Sequence, residues 1–447
     1  MTDTIFALST PPGRGGIAVV RVSGPGAKDS ILKISGGYPR AARTAELRAF
    51  TSPKTENLID RGLVLFFEGP SSFTGEDVAE FHLHGGKAVT DAMLDALSSL
   101  PGFRLAEPGE FTRRAFERGR IDLTEAEAIA DLINAETEAQ KDQALAQMGG
   151  ALSNIYDDWR DRLIEALAHL EADIDFPDED LPEGVAAHVR PGLQTLRDEI
   201  RAHLDDNRRG ERLRAGIHVA VIGAPNAGKS SLVNALAQRE VAIVSEHAGT
   251  TRDVIEVHLD LGGYPVIISD TAGLRPDQLG AGAQASIESE GIRRALVRAQ
   301  EADIRLLLFD ATAAMLDQHT LALLNEDSIV VFNKTDLSQG KHPSLYGHDP
   351  IAISVRDGAG LGKLATALVD KIKTLIGDRA APSPTRARHR AALENCAASV
   401  DNALVGHEAE LIAEDVRFAV RYLGRITGRV DVEDLLDVIF RDFCIGK

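Results

Sequence analysis

Two thiols, Cys396 and Cys444, are all that 447 residues contain. That is too few for a disulfide framework or a cysteine-built metal cage, and it fits a reducing cytoplasm. Long apolar runs are missing as well. None approaches the roughly 20 residues that span a bilayer, and Met1–Thr10 lacks the basic start and apolar core of a secretion signal, so no membrane insertion is expected. Basic charge is also short. Lys and Arg number 49 against 68 Asp and Glu, a net charge of -19, which argues against a surface that coats nucleic acid broadly. A local basic patch, or binding through a partner, stays open. At this length about three domains are expected.

What the chain does contain begins at Gly223-Ala-Pro-Asn-Ala-Gly-Lys-Ser-Ser231, which fits the phosphate-loop pattern G-x-x-x-x-G-K-[ST]. Gly223 and Gly228, with Asn226 and Ala227 between them, let the backbone curl so that successive N–H groups point at one anion. Lys229 brings a point charge to the terminal phosphates, the Ser230 hydroxyl can ligate Mg²⁺, and Ser231 opens a helix behind the strand-like His218–Ile222. Asp270, Thr271, Ala272 and Gly273 follow the apolar run Val266–Ser269; an Asp there can hold Mg²⁺ through water. Asn333, Lys334, Thr335 and Asp336 follow Ile329–Phe332. The Asp336 carboxylate can accept both the ring and exocyclic N–H groups of guanine, which adenine does not offer, so this motif selects GTP over ATP. Ser354, Val355 and Arg356 sit where a weaker base-contacting loop belongs. Between the first two motifs, Gly249-Thr-Thr-Arg-Asp253 supplies a switch threonine, with Thr251 expected on Mg²⁺ and the γ-phosphate. The four ordered motifs imply a GTPase.

One part is missing. After Gly273 comes Leu274, not the glutamine that orients water in Ras-like enzymes. Whatever replaces it must supply a contribution like that of an arginine finger, about 4–7 kcal/mol of barrier.

The remaining chain reads as an α+β segment, 1–118, with strands at Ile17–Val22 and Gly62–Phe67 and a helix at Lys87–Leu100. Helical pattern then fills 119–212. Thr124 with Glu127 reads as a capping box, Gly149-Gly150 as an interruption, and Leu152, Ile155, Trp159, Leu163, Leu167, Leu170 and Ile174 as one apolar, core-packing stripe. The nucleotide domain occupies 213–378. After Pro382-Ser-Pro384, segment 379–447 carries helical patterns at Thr385–Val405, Glu408–Leu423 and Asp431–Phe440. Two helical blocks flanking the nucleotide domain imply one all-α domain with an α/β Ras-like P-loop domain inserted in it. Arg386, Arg388, His389 and Arg390 read as an exposed basic helix face, with tRNA phosphate contact as the alternative. His82 and His84 share a strand face, as metal ligands do, without a third ligand nearby.

Taken together, Thr10-Pro-Pro-Gly-Arg-Gly-Gly16, Ser72-Phe-Thr-Gly-Glu-Asp-Val78, His84-Gly-Gly86, Pro108-Gly-Glu-Phe111, Glu125-Ala-Glu-Ala-Ile-Ala-Asp-Leu132, Ile174-Asp-Phe-Pro-Asp178, Gly249-Thr-Thr-Arg-Asp253 and Phe443-Cys-Ile-Gly-Lys447 resemble the MnmE (TrmE) family of tRNA-modifying GTPases end to end. The resemblance implies an N-terminal folate-binding, dimerising domain and a helical domain interrupted by the G domain. It also answers the missing glutamine. K⁺ would be held by Asn226 and by Ser245, His247 and Thr250, while two G domains of a homodimer meet; Glu246, Ala248 and Gly249 complete that nucleotide loop. Glu288 matches the family's catalytic glutamate, with Glu290 close enough to compete and a solvated helix charge as the bland reading. Thr251, Arg252 and Asp253 join Glu288 as expected catalytic residues.

For the N-terminal domain the resemblance implies a site for 5-formyl- or 5,10-methylene-tetrahydrofolate formed by Arg21, Glu80, Arg120 and Lys447. Arg120 stands where many relatives have Lys, which preserves charge but not geometry. Cys444 is a candidate nucleophile toward uracil, or a tail residue beside the folate site. The implied activity is modification of the tRNA wobble uridine at carbon 5, with an FAD-dependent MnmG (GidA)-type partner, folate supplying one carbon and GTP hydrolysis driving G-domain cycling. A ribosome-assembly GTPase without modification activity is the competing reading; it would share the phosphate loop but not the Ser72–Glu80 and Phe443–Lys447 motifs.

Overall fold

The computed structural model describes residues 3–175, 185–239, 241–243, 256–270, 300–338, 343–377, 381–430, 432–441, 443 and 445–446. The chain divides into two compact units. One comprises Met1–Ala130, Met148–Ala186 and Gly406–Lys447; the other comprises Asp131–Gln147 and Ala187–Val405.

In the first unit, six strands form one sheet: β1 (Thr4–Leu8), β2 (Gly15–Ser23), β3 (Glu46–Thr51), β4 (Leu58–Phe67), β5 (Val78–Gly85) and β6 (Phe103–Leu105), in the order β3-β4-β5-β2-β1-β6. Only β6 runs parallel to its neighbour β1. Alternation along β2 decides what lies on each face. Ala18, Val20 and Val22 point into a core with Phe6, Phe50, Phe81 and the helices Ala27–Ser35 and Lys87–Ser98. Arg21 and Ser23 therefore point to the other face. There the short helix Glu110–Glu117 seats Phe111 on Ile5, Ala7 and Ala106.

The same unit contains the apolar stripe. Helix Ala151–Asp175 buries Leu152, Trp159, Leu163 and Leu170 and half-buries Ile155, Leu167 and Ile174, packing against helix Ala409–Thr427. The core-packing reading of the stripe is therefore right. The capping box is not where Thr124 and Glu127 place it. Asp122 Oδ1 accepts from the Glu125 N–H at 2.9 Å and Glu125 Oε2 accepts from the Asp122 N–H at 2.8 Å, closing a reciprocal box two residues earlier. Thr124 instead spends its hydroxyl on Asp122 and Ser153. Past the helices Leu123–Ile133 and Glu138–Met148 the chain turns at Gly150 before the long helix.

The second unit is built on seven strands: β7 (Ile217–Gly223), β8 (Val241–Ile243), β9 (Glu256–Leu261), β10 (Tyr264–Asp270), β11 (Ile304–Asp310), β12 (Ser328–Asn333) and β13 (Ile351–Ala352), ordered β13-β12-β11-β7-β10-β9-β8. β10, β7, β11, β12 and β13 run parallel; β8 and β9 make the antiparallel edge. Near-continuous Val, Ile and Leu in β7, β10, β11 and β12 follow from burial on both faces. β7 lies between β10, which comes after it in sequence, and β11, which continues the other way. The carboxyl end of β7 is thus the switch point where an open α/β sheet binds its ligand. Among the described residues no helix is long and apolar enough to cross a membrane.

Candidate functional site

The phosphate loop leaves β7 at Gly223 and enters helix Lys229–Arg239. Asn226 and Gly228 both take positive φ, 63° and 99°. That reversal turns successive N–H groups inward and fixes the shape of an anion cradle. At Gly228 the constraint is double, because a β-carbon would also come within 2.4 Å of Asn333 Nδ2. Lys229 is buried, and its ammonium donates to the carbonyls of Gly223 at 2.8 Å and Ala224 at 3.0 Å, which holds the charge over the loop. Ser230 and Ser231 are exposed at the start of the helix, where its dipole favours an anion.

Asn333 ends β12 fully enclosed. Its Nδ2 donates to the Ala227 carbonyl at 2.8 Å, and its Oδ1 accepts from the Val355 N–H at 3.1 Å. One side chain thus ties the phosphate loop to the loop carrying Ser354. Ser354, buried, donates to Asp336 Oδ1 at 2.9 Å. Asp336 is exposed, so this bond steadies one oxygen of a carboxylate at the protein surface. Lys334, at φ 65°, reaches back to Asp310 at 2.6 Å. Burial works against ionisation of Asp310, but the Lys334 ammonium and two donors from Thr312 outweigh it and hold the carboxyl below its ordinary range. Arg356 is exposed beside this loop.

In the first unit, Arg21 and Glu80 face each other across β2 and β5 in register. The guanidinium meets Glu80 Oε1 at 3.0 Å, and Glu80 Oε2 lies 3.3 Å from His82 Nε2. The Phe73 and Phe111 rings flank the Arg21 guanidinium at 6.0 and 5.9 Å. Such contacts are worth about 0.5–2 kcal/mol depending on desolvation. Arg120 is exposed, its stem lying beside Gly75. His84 sits on the Asp60 carboxylate at 2.9 Å, so the two histidines of β5 engage different carboxylates. The C-terminal segment reaches this unit: Ile445 bridges Pro108, and Ser9 Oγ donates to the Gly446 carbonyl at 3.0 Å. At φ 96°, and with Leu8 O where a β-carbon would fall 2.4 Å away, position 446 takes only glycine.

Residues 4–120 match the family model described as "GTP-binding protein TrmE N-terminus", and residues 123–444 match "MnmE helical domain". The chain is 54% identical over 449 residues to "tRNA modification GTPase MnmE" of Parvibaculum lavamentivorans, covering all of both chains. Identity is 51% over 452 residues, again covering both completely, to the protein of that name from Paramagnetospirillum magneticum. It is 48% over 477 residues, covering all of this chain and 93% of the other, to "5-taurinomethyluridine-[tRNA] synthase subunit GTPB3, mitochondrial" of Danio rerio.

The chain belongs to the MnmE family.

As an MnmE-family GTPase, the chain brings together Asn226, Ala227, Gly228, Lys229, Ser230, Ser231, Asn333, Lys334, Asp336, Ser354, Val355 and Arg356 around one end of the second sheet, and Asp270 ends β10 beside β7. Ser245, Glu246, His247, Ala248, Gly249, Thr250, Thr251, Arg252, Asp253, Thr271, Ala272, Gly273, Glu288, Cys444 and Lys447 lie outside the described residues. The sequence reading of residues 386–390 needs correction. The cluster at 386–390 is not an exposed basic face. Arg386 pairs with Asp131 at 2.8 Å, Arg390 with Asp206 at 2.6 Å and Glu211 at 3.0 Å, and His389 is fully buried.

A buried charge network beside Arg21 escaped the sequence reading. Glu76, whose side chain is 5% exposed, accepts from Ser23 Oγ at 2.9 Å and Arg114 Nη1 at 3.1 Å, and pairs with Arg118. Arg114 also reaches Glu110 at 3.0 Å and Asp3 at 2.7 Å. Removing one member of such a buried pair costs about 3–5 kcal/mol, because the other charge is left without compensation. Glu76 stands within the Ser72–Val78 motif, but nothing in a single glutamate's neighbours along the chain announces burial.

Proposed function

We propose that this chain is a cytoplasmic, homodimeric GTPase, dependent on Mg²⁺ and K⁺, that serves modification of the wobble uridine of certain tRNAs at carbon 5. It acts with an FAD-dependent MnmG (GidA)-type partner and a reduced folate that supplies one carbon as 5-formyl- or 5,10-methylene-tetrahydrofolate. The group installed is aminomethyl or carboxymethylaminomethyl. Segments 1–118, 119–212 with 379–447, and 213–378 serve as folate, helical and G domains. The relatives' names support tRNA as the substrate, and one named for 5-taurinomethyluridine supports carbon 5.

The observation that carries the GTP part is the double tie made by Asn333, which joins the phosphate cradle to the guanine-reading Asp336 and Ser354 as one preformed site. Ser230 and Thr251 would hold Mg²⁺. Exposed Asn226, with Ser245, His247 and Thr250, would hold K⁺. When bound, K⁺ would supply positive charge to the reacting phosphates in place of an arginine finger. Lys229 steadies the γ-phosphate, and Glu288 polarises the attacking water indirectly. For the folate, Arg21 and Glu80 provide one cation and one carboxylate on the same sheet face, and Arg120 and Lys447 are the further residues assigned to that ligand. Hydrolysis drives the G domains through an opening and closing cycle that reorganises the modification site.

The test is GTP hydrolysis by the full chain in K⁺ and in Na⁺, with Asn226→Ala and Glu288→Ala alongside. Strong stimulation by K⁺ that Asn226→Ala abolishes, and lost turnover with retained GTP binding in Glu288→Ala, are expected. Equal rates in both salts overturn the K⁺ mechanism.

A further inference from the structure

We propose that Glu76 and Arg114 are positioning residues for the ligand face around Arg21, a role that rests on the folate reading of that face. The two charges occupy matching places on two different segments. Phe73 precedes Glu76 by three residues in the loop before β5, and Phe111 precedes Arg114 by three residues on helix Glu110–Glu117. Phe73 and Phe111 are the two rings that flank the Arg21 guanidinium. The 3.1 Å bond between Arg114 Nη1 and Glu76 Oε2 therefore joins the two segments that carry those rings.

The lock is anchored to the strand that carries Arg21. Ser23, two residues along β2 and on the same face, donates to Glu76 Oε2 at 2.9 Å and shares a 2.7 Å bond with Thr74. On the other side, Arg114 Nη1 reaches the Asp3 carbonyl just ahead of β1 at 3.0 Å. Strand, loop and helix thus meet at one guanidinium–carboxylate pair whose side chains are 10% and 5% exposed. An apolar pair could fill that space without the cost of removing two charges from water, so stability alone does not call for ions here. A fork of directional bonds does what apolar packing does not: it fixes where the helix sits along the sheet. Arg21, with 21% of its side chain exposed, is the group so presented. The ligand this arrangement suits is a flat, anionic heteroaromatic molecule, gripped by a cation whose orientation is set by Glu80 below and two rings at its sides.

The test measures 5-formyltetrahydrofolate binding to the full chain by equilibrium dialysis, with melting temperature and GTP hydrolysis followed in parallel. Variants are Arg21→Ala, Glu76→Gln, Phe111→Leu and the double variant Glu76→Gln/Phe111→Leu. Glu76→Gln is expected to raise Kd tenfold or more while GTP hydrolysis stays at the wild-type rate. The double variant is expected to bind no more weakly than the weaker single, because both changes act through the same ring. If the two factors multiply, Glu76 acts independently of the ring and the proposal is overturned. Wild-type binding by Glu76→Gln, against loss in Arg21→Ala, overturns the lock and spares the folate reading. Wild-type binding by Arg21→Ala overturns the folate reading, and loss in Glu76→Gln alone would then overturn the lock as well, since it would be acting elsewhere than on Arg21. Ser23→Ala removes two hydrogen bonds, to Glu76 and to Thr74, and no charge, and a threefold or greater rise in its Kd decides the matter if Glu76→Gln does not fold.

Discussion

The side-chain amide of Asn333 donates to the main-chain carbonyl of Ala227 at 2.8 Å, so the residue that opens the base-reading motif also closes the phosphate loop. Through its oxygen it receives the Val355 N–H as well. On the proposed reading, the base-contacting and phosphate-contacting loops are therefore not two sites on one sheet but two ends of one hydrogen-bonded unit. Preorganisation of this kind lowers the ordering cost of binding.

Asn333→Ala removes both bonds from an enclosed position. Leaving the Ala227 carbonyl and the Val355 N–H unpaired costs about 2 kcal/mol or more, roughly a 30-fold loss of GTP affinity. Titration with a fluorescent GTP analogue should show this loss. Unchanged GTP affinity would mean that the two loops hold their positions without Asn333.

Asp336→Asn exchanges a two-oxygen acceptor for one acceptor and one donor. Guanine offers two N–H donors to that edge, whereas xanthine replaces the exocyclic donor with a carbonyl. GTP affinity should fall by about 100-fold, the value of one or two charge-assisted bonds, and xanthosine triphosphate should become the better ligand. Ser354, 2.9 Å from Asp336 Oδ1, can still donate to the asparagine oxygen, so the orientation survives. A competition assay with the two nucleotides checks the exchange.

How much of this was legible in sequence depended on how far apart the partners lie. The phosphate loop and β7 are neighbours along the chain, and local pattern placed both. The strands at Val266–Ser269 and Ile329–Phe332 read correctly because burial on both faces leaves unbroken apolar runs. The capping box failed for a local reason. Asp122…Glu125 and Thr124…Glu127 satisfy the same spacing, and only the structure shows the carboxylate winning while Thr124 turns to Ser153. The 386–390 cluster failed for a distant one. Its acidic partners stand 255, 184 and 179 residues away, so a paired, half-buried row of charges looks like a solvated face. Glu76 and Arg114 are 38 residues apart and share no periodicity that would join them.

Cys396 lies wholly inside helix Ala387–Val405, and burial pushes its thiol up to about 12. At pH 8 the thiolate fraction is then on the order of one part in 10,000, too small for ready attack on a disulfide reagent. Thiol titration of the native chain at pH 8 should leave Cys396 unreacted, and full denaturant should release it. Reaction in the native state at the rate of a free thiol would contradict the enclosed position.

His203, near the end of helix Val185–Leu204, has its pKa lowered to about 4. Burial is the main cause, and the nearby Arg209, Arg390 and His389 add to it against the opposing pull of Asp206. In the unfolded chain the same imidazole titrates near 6.5. The unfolded state therefore binds the extra proton first as pH falls. Stability from neutral His203 is complete above pH 6.5 and is lost progressively from there down to about pH 4, by up to about 3 kcal/mol. His203→Gln keeps a neutral polar side chain and removes the proton site. The urea midpoint of the wild-type chain should drop between pH 7 and pH 4.5 more steeply than that of His203→Gln. Parallel slopes would show that the acid sensitivity of this unit comes from its carboxylates and not from the imidazole.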